Sequence, residues 1–129
     1  MENIKNFIKS NNFEECVNYF EELENNEYEI KSLINELMEE NGLFIIYILL
    51  FISQKRNKSF WFNITGYTLS FYLSHIEGAE RTALNMFKKS FEINPNDNIT
   101  LKAILDFKNP PEKILTNEEL KYYSKFKKD

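Results

Sequence analysis

The sequence predicts an all-α domain of about seven to eight helices, packed as antiparallel pairs. Three observations lead there. Apolar residues recur at intervals of three and four, and no segment alternates with period two as a half-buried strand would. Only three glycines and three prolines occur among 129 residues, while Glu, Lys, Leu and Asn abound, so little in the chain interrupts helix. The interruptions are polar and spaced along the chain: Asn11-Asn12, Asn25-Asn26, Asn41-Gly42, 57–59, Glu77-Gly78, 94–98 and 109–111. They divide a single domain, residues 1–129, into eight segments of helical length. A chain of this size buries about two-thirds of its unfolded surface, enough for one core.

Each segment has its own justification. In 13–24, Phe13, Cys16, Val17, Phe20 and Leu23 share one face, with Glu14 and Glu21 opposite. Residues 28–40 repeat the pattern with Ile30, Leu33, Ile34, Leu37 and Met38. Residues 43–54 are apolar all round, the mark of a helix covered on several sides. Residues 60–74 carry two stripes: Phe60, Ile64, Tyr67 and Phe71, and beside it Trp61, Thr65, Thr68 and Tyr72. From Ala79 the apolar set is Ala79, Ala83, Leu84, Phe87 and Phe91, facing away from Arg81, Asn85, Lys88 and Glu92. Glu77 and Glu80 suit the positive end of that helix dipole, and Gly78 permits the reversal before it. The stretch SHIEGAERTAL, 74–84, therefore reads as a corner between two helices, with His75 an exposed turn residue. Asn94-Pro95 stops the helix, because a residue before proline is pushed out of the α region. A further helix runs from the NDN cap at 96–98 to about Phe107, and NPP at 109–111 breaks it. Thr116 and Glu119 form a capping-box pattern that opens the last helix, 117–127.

Several classes are disfavoured. The N-terminal MENIKNFIKS lacks the apolar core of a secretory signal. The most apolar run, LFIIYILLFI at 43–52, is half of the ~20 residues a bilayer span needs. The three positive charges of SQKRNKS separate it from the FWF at 60–62. One cysteine forms no internal disulfide and fits a reducing compartment, so the expected location is the cytoplasm, with no membrane association.

Net charge is −4, distributed unevenly. Residues 1–42 hold eleven acidic and three basic side chains, a balance of −8, whereas 43–129 hold nine and thirteen, a balance of +4. The acidic half argues against nucleic acid, whose phosphates need lysine and arginine, and suits a basic partner protein. The alternative is a set of solvated helix faces that are merely rich in glutamate.

Two segments, NNFEECVNYFEEL (11–23) and EGAERTALNMFKKSFEINPND (77–97), resemble the second helix of a tetratricopeptide repeat. There a small residue is followed four positions later by an aromatic, here Cys16 with Phe20 and Ala83 with Phe87. The small residues are 67 positions apart, near two periods of about 34. The repeat between is degenerate, with Leu50 and Gln54 in those slots. The resemblance implies a degenerate tetratricopeptide-like superhelix. Over residues 70–125, HIEGAERTAL, INPNDNITLKAIL and PEKILTNEEL together are similar to small helical immunity proteins of bacterial polymorphic toxin and contact-dependent growth inhibition systems. Leu120 departs from the small residue of that pattern, and residues 1–69 share only its helical rhythm. This second resemblance implies an antitoxin that binds a cognate toxin domain and occludes its active site without catalysis.

The inventory offers little for catalysis. His75 and Cys16 are the only such residues, and Cys16 fills a small apolar slot. No Cys-x-x-Cys or His-x-x-Glu spacing marks a metal site, and no glycine-rich loop marks a phosphate site, so neither metal nor cofactor is expected. The one-turn pairs Glu36 with Glu39-Glu40, and Glu77 with Glu80, read as solvated faces. What remains is binding. The densest acidic pairs, Glu14-Glu15, Glu21-Glu22 and Glu39-Glu40, are candidate contacts for a basic toxin domain such as a nuclease. Repeats of this kind present a groove lined by the first helix of each pair. Trp61 and Tyr72 are candidate anchors there, with Phe60 and Phe71 facing the core; alternatively both stripes are core. An adaptor that holds a peptide in the groove is the rival function.

Overall fold

A computed structural model describes residues 2–109 and 114–127, and its described residues are helical with no strand. The helices are α1 (Glu2–Lys9), α2 (Phe13–Glu21), α3 (Glu27–Arg56), α4 (Ser59–Tyr72), α5 (Ala79–Ile93), α6 (Asn98–Leu105) and α7 (Asn117–Ser124), with a 3₁₀ turn at Asp106–Lys108. Pro110 and Pro111, expected to break the chain after α6, lie outside the described residues, as does the start of the PEKIL motif.

The asparagine marks act as the sequence predicts. Asn11, Asn25 and Asn57 adopt left-handed backbone, where asparagine is tolerated better than most residues. Asn12 and Asn26 then cap α2 and α3, accepting from the Glu15 and Glu29 amides at 3.3 and 3.2 Å. Gly78 takes φ +88° immediately before α5. Asp97 caps α6, and Thr116 with Glu119 closes a reciprocal capping box on α7.

α3 is one helical stretch by its ends, at Glu27 and Arg56, yet it cannot be straight. Thirty residues of straight helix span about 45 Å. Glu24, just before its start, nevertheless forms an ion pair at 2.9 Å with Arg56, its last residue. The reversal falls at Asn41, whose φ −132° and ψ 26° are non-helical. So α3 is two limbs, 27–40 and 42–56, folded back at the predicted Asn41-Gly42 mark. Counting both limbs, the fold has eight helical segments among the described residues.

The segments then pair in sequence. Ser53 on the second limb of α3 meets Thr65 of α4 at 2.8 Å, after a two-residue connection. α4 and α5 run antiparallel, with Ser90 bonded to the Ser59 carbonyl at one end and Ser70 to Glu80 at the other. Gly66 allows this close approach: a Cβ there would lie 2.9 Å from the Phe87 ring. Lys88 of α5 pairs with the capping-box Glu119 of α7. The strongest helix contacts all join chain neighbours. Cys16, Phe20, Ala83 and Phe87, the repeat-like positions, are all buried.

Two expectations are corrected here. Trp61 is fully buried and Phe71 is 65% exposed, the reverse of their anticipated roles. Trp61, Thr65 and Thr68 are fully buried, with Trp61 bonded to Glu24 and Thr65 to Ser53. Ile64 of the other stripe is buried beside a partly covered Phe60, so the alternative of two core stripes is nearer for all but Phe71. Phe71 instead stacks on Tyr67 at 5.3 Å, near the open end of α4. The second limb of α3 is also not covered all round. Ile45, Ile48, Leu49 and Ile52 are fully buried, but Leu43 and Tyr47 are 72% and 67% exposed and Phe51 is also solvent-facing.

Candidate partner-binding surfaces

The six glutamates picked from the sequence fall into two groups. Glu21 is tied up: its carboxylate meets Lys55 at 3.1 Å and Arg56 at 3.6 Å. Beside it Glu24, which sequence reasoning passed over, accepts two bonds from Arg56 at 3.0 and 2.9 Å, one from Lys58 at 2.9 Å and one from the Trp61 indole at 2.6 Å. The Arg56 and Lys58 hydrogen bonds, foremost among several causes, hold the Glu24 carboxyl down at about 2. This knot ties α2, both ends of α3 and the start of α4 together. Glu14, Glu15, Glu22, Glu39 and Glu40 form the other group: all are exposed, and among the described residues none is in an ion pair. Glu29 and Glu36 share that condition. The acidic excess of the N-terminal half thus survives folding as free surface charge on α2 and the first limb of α3.

A groove of about 280 Å³ lies between the first limb of α3, α4 and α6, with Phe87 of α5 also in its wall. Lys31 of α3, Phe60, Asn63 and Tyr67 of α4, and Ile99 and Thr100 of α6 line it. Lys31 pairs with Glu27 at 2.8 Å and stands 4.2 Å over the Tyr67 ring. The Thr100 hydroxyl donates to the capping Asp97 carboxylate at 2.8 Å and lies 3.2 Å from Asn63 Oδ1, where α6 meets α4. Of the four aromatics considered for such a groove, Phe60 alone lines this one, beside Tyr67 and Phe87, and Trp61 is not among its residues.

Tyr72 belongs elsewhere. Its hydroxyl donates to Asn35 Oδ1 at 2.7 Å, and burial, followed by the influence of Tyr67, raises its pKa. It lines a second hollow, of about 620 Å³, with Glu39, Leu43, His75 and Ile76. Tyr72 and Glu39 are thus brought together at this hollow, as Glu21 and Trp61 are at the Arg56 knot. Leu43 connects this hollow to the uncovered line of Tyr47 and Phe51, against which Phe13 packs edge-on with ring centroids 5.8 and 5.2 Å away. Sequence reasoning missed this face because an all-apolar helix gives no sign of which side stays open.

Cys16 is buried, and burial followed by the neighbouring Glu15 charge raises its thiol pKa, which disfavours the nucleophilic thiolate. His75 is exposed in the turn before α5. Among the described residues no cluster of His, Cys, Asp and Glu has the makings of a metal site, and no helix is long and apolar enough to cross a membrane. Comparison with protein-family models, curated proteins and solved structures finds no match.

Proposed function

We propose that this protein is an immunity protein: it binds a basic toxin domain in the cytoplasm and neutralises it by occlusion, without catalysis of its own. The observation that carries this reading is a set of exposed carboxylates in no ion pair among the described residues: Glu14 and Glu15 on α2, Glu22 just after it, and Glu29, Glu36, Glu39 and Glu40 on the first limb of α3. Concentrated on consecutive helical segments, they produce a field that accelerates encounter with a cationic protein such as a nuclease and repels nucleic acid. The resemblance of residues 70–125 to helical immunity proteins supports the same reading. Isolation of the natively expressed protein tests it. One basic chain should co-purify at equal stoichiometry, be toxic when expressed alone, and lose its toxicity when this protein is supplied. A co-purifying chain with no toxicity would sink the reading.

The groove beside Tyr67 favours the second reading, an adaptor. At about 280 Å³ it has room for only a few side chains of a peptide. Short peptides bound there, with no folded partner bound more tightly, would select the adaptor.

A further inference from the structure

We propose that the partner seats on the uncovered face of the second limb of α3, with Leu43, Tyr47 and Phe51 as its apolar centre and Glu14, Glu39 and Glu40 as its rim; this rests on the immunity reading above. The three apolar residues recur every four positions and form a line about 12 Å long on one side of the helix. Ile45, Ile46, Ile48, Leu49, Ile52 and Ser53 of that limb are buried against the domain and Phe44 and Leu50 partly so, which leaves this apolar strip open as far as Lys55, the next residue at the same spacing, held by Glu21. The Phe13 ring braces Tyr47 and Phe51 from α2, so both are partly ordered before any partner arrives and lose less freedom on binding. At its upper end Leu43 opens into the 620 Å³ hollow, which offers Ile76 and Leu73 to an inserted side chain.

Charge selects the occupant. Glu14 follows Phe13 in the chain, Glu39 lines the same hollow as Leu43, and Glu40 ends the first limb; all three carboxylates are exposed and outside any ion pair among the described residues. A second copy docked about a two-fold axis at Tyr47 would set Glu39 and Glu40 against the Phe51 end, where Lys55 and Arg56 are already paired with Glu21 and Glu24 and, among the described residues, leave no free cation to receive them. A nucleic acid or an anionic membrane would be repelled. A protein segment with an aliphatic or aromatic centre flanked by lysine or arginine fits both features, an apolar middle and a charged rim.

Two measurements test this. The probe is a synthetic 14-residue amphipathic helix, leucine on one face and lysine on the other, titrated into the isotope-labelled protein. Amide shifts should saturate and concentrate at residues 13–14 and 39–51. Tyr47→Arg should weaken binding at least tenfold, as should exchanging the peptide's lysines for glutamate, while Tyr67→Ala in the groove should change it less than twofold. Shifts centred on Lys31, Asn63 and Ile99, or no saturation, would overturn the proposal. So would a doubling of mass in light scattering that Tyr47→Arg abolishes, which would give the face to a second copy. With the co-purifying toxin, neutralisation that is equally strong in a folded Tyr47→Arg variant removes this docking face and leaves the immunity reading standing. Localised, lysine-dependent peptide binding without any toxin to neutralise does the opposite.

Discussion

Trp61 and Glu24 are 37 residues apart in sequence, yet the indole N–H donates to the carboxylate at 2.6 Å. This contact explains how a tryptophan is buried completely with its polar edge satisfied. With the two Arg56 bonds to the same carboxylate, it places the start of α3, its end and the start of α4 at one point. The hairpin in α3 is closed there, opposite its reversal at Asn41.

The pH dependence follows from Glu24. Its carboxyl is depressed to about 2, so its contribution is complete above the unfolded value near 4.5 and is lost as pH falls toward 2. Glu24→Gln should cost about 1 kcal/mol at pH 7, a modest figure because Arg56 and Lys58 reach it from solvent. Urea titrations at pH 7 and pH 2.5 check this: the gap between variant and wild type should shrink at the lower pH. An unchanged gap would mean the carboxylate's charge is immaterial.

Trp61→Ala and Phe87→Ala should each destabilise by about 3–5 kcal/mol, as truncations of buried aromatics do. Tyr72→Phe removes only the bond to Asn35 and should cost about 1 kcal/mol. Chemical denaturation of the three variants gives the ranking. Trp61→Ala no more costly than Tyr72→Phe would contradict the burial of Trp61.

Reversing Glu14, Glu15, Glu39 and Glu40 to lysine changes net charge from −4 to +4, each substitution adding two. Association with a basic partner should slow at low salt and converge with wild type near 0.5 M salt, where the screening length is about 4–5 Å. Dissociation should hardly change. Glu21→Lys should instead lower stability, since it sets a cation against Lys55 and Arg56. Stopped-flow kinetics and denaturation separate the two behaviours, and an unaffected on-rate would reduce the free glutamates to solvated faces.

Cys16 should resist thiol reagents in the native protein and react at once in denaturant, while His75→Ala should change stability by less than about 1 kcal/mol. A spectroscopic thiol assay and a melting curve suffice. Rapid labelling of the folded protein would show that α2 opens readily.

Local signals in the sequence were the readable ones. Asparagine pairs, the Asp97 cap, the Thr116–Glu119 box and the Asn41-Gly42 break act within a few residues, so their chemistry is visible in a short window. The two stripes of α4 were not separable, because each carries two or more aromatics and the burial of Trp61 and Thr65 depends on Glu24 and Ser53, partners elsewhere in the chain. The open face of α3 was hidden for a related reason. An apolar period shows which sides of a helix can be buried, and it is silent on how many neighbours arrive to cover them. Glu21 and Glu22 looked alike as adjacent acids, and only the return of Lys55 and Arg56 distinguishes them.

The strongest helix contacts join chain neighbours, and this bears on how the domain forms. Low sequence separation between contacting segments favours fast folding, since little loop entropy is spent before contacts reward it. Each helix pair can dock on the one already made, so assembly is expected to spread from a local nucleus toward both ends. Damage should be equally local. Loss of α7 should release the face of α5 that carries Phe91 and Lys88 while leaving the α3 hairpin folded, and with it the apolar strip and most of its acidic rim.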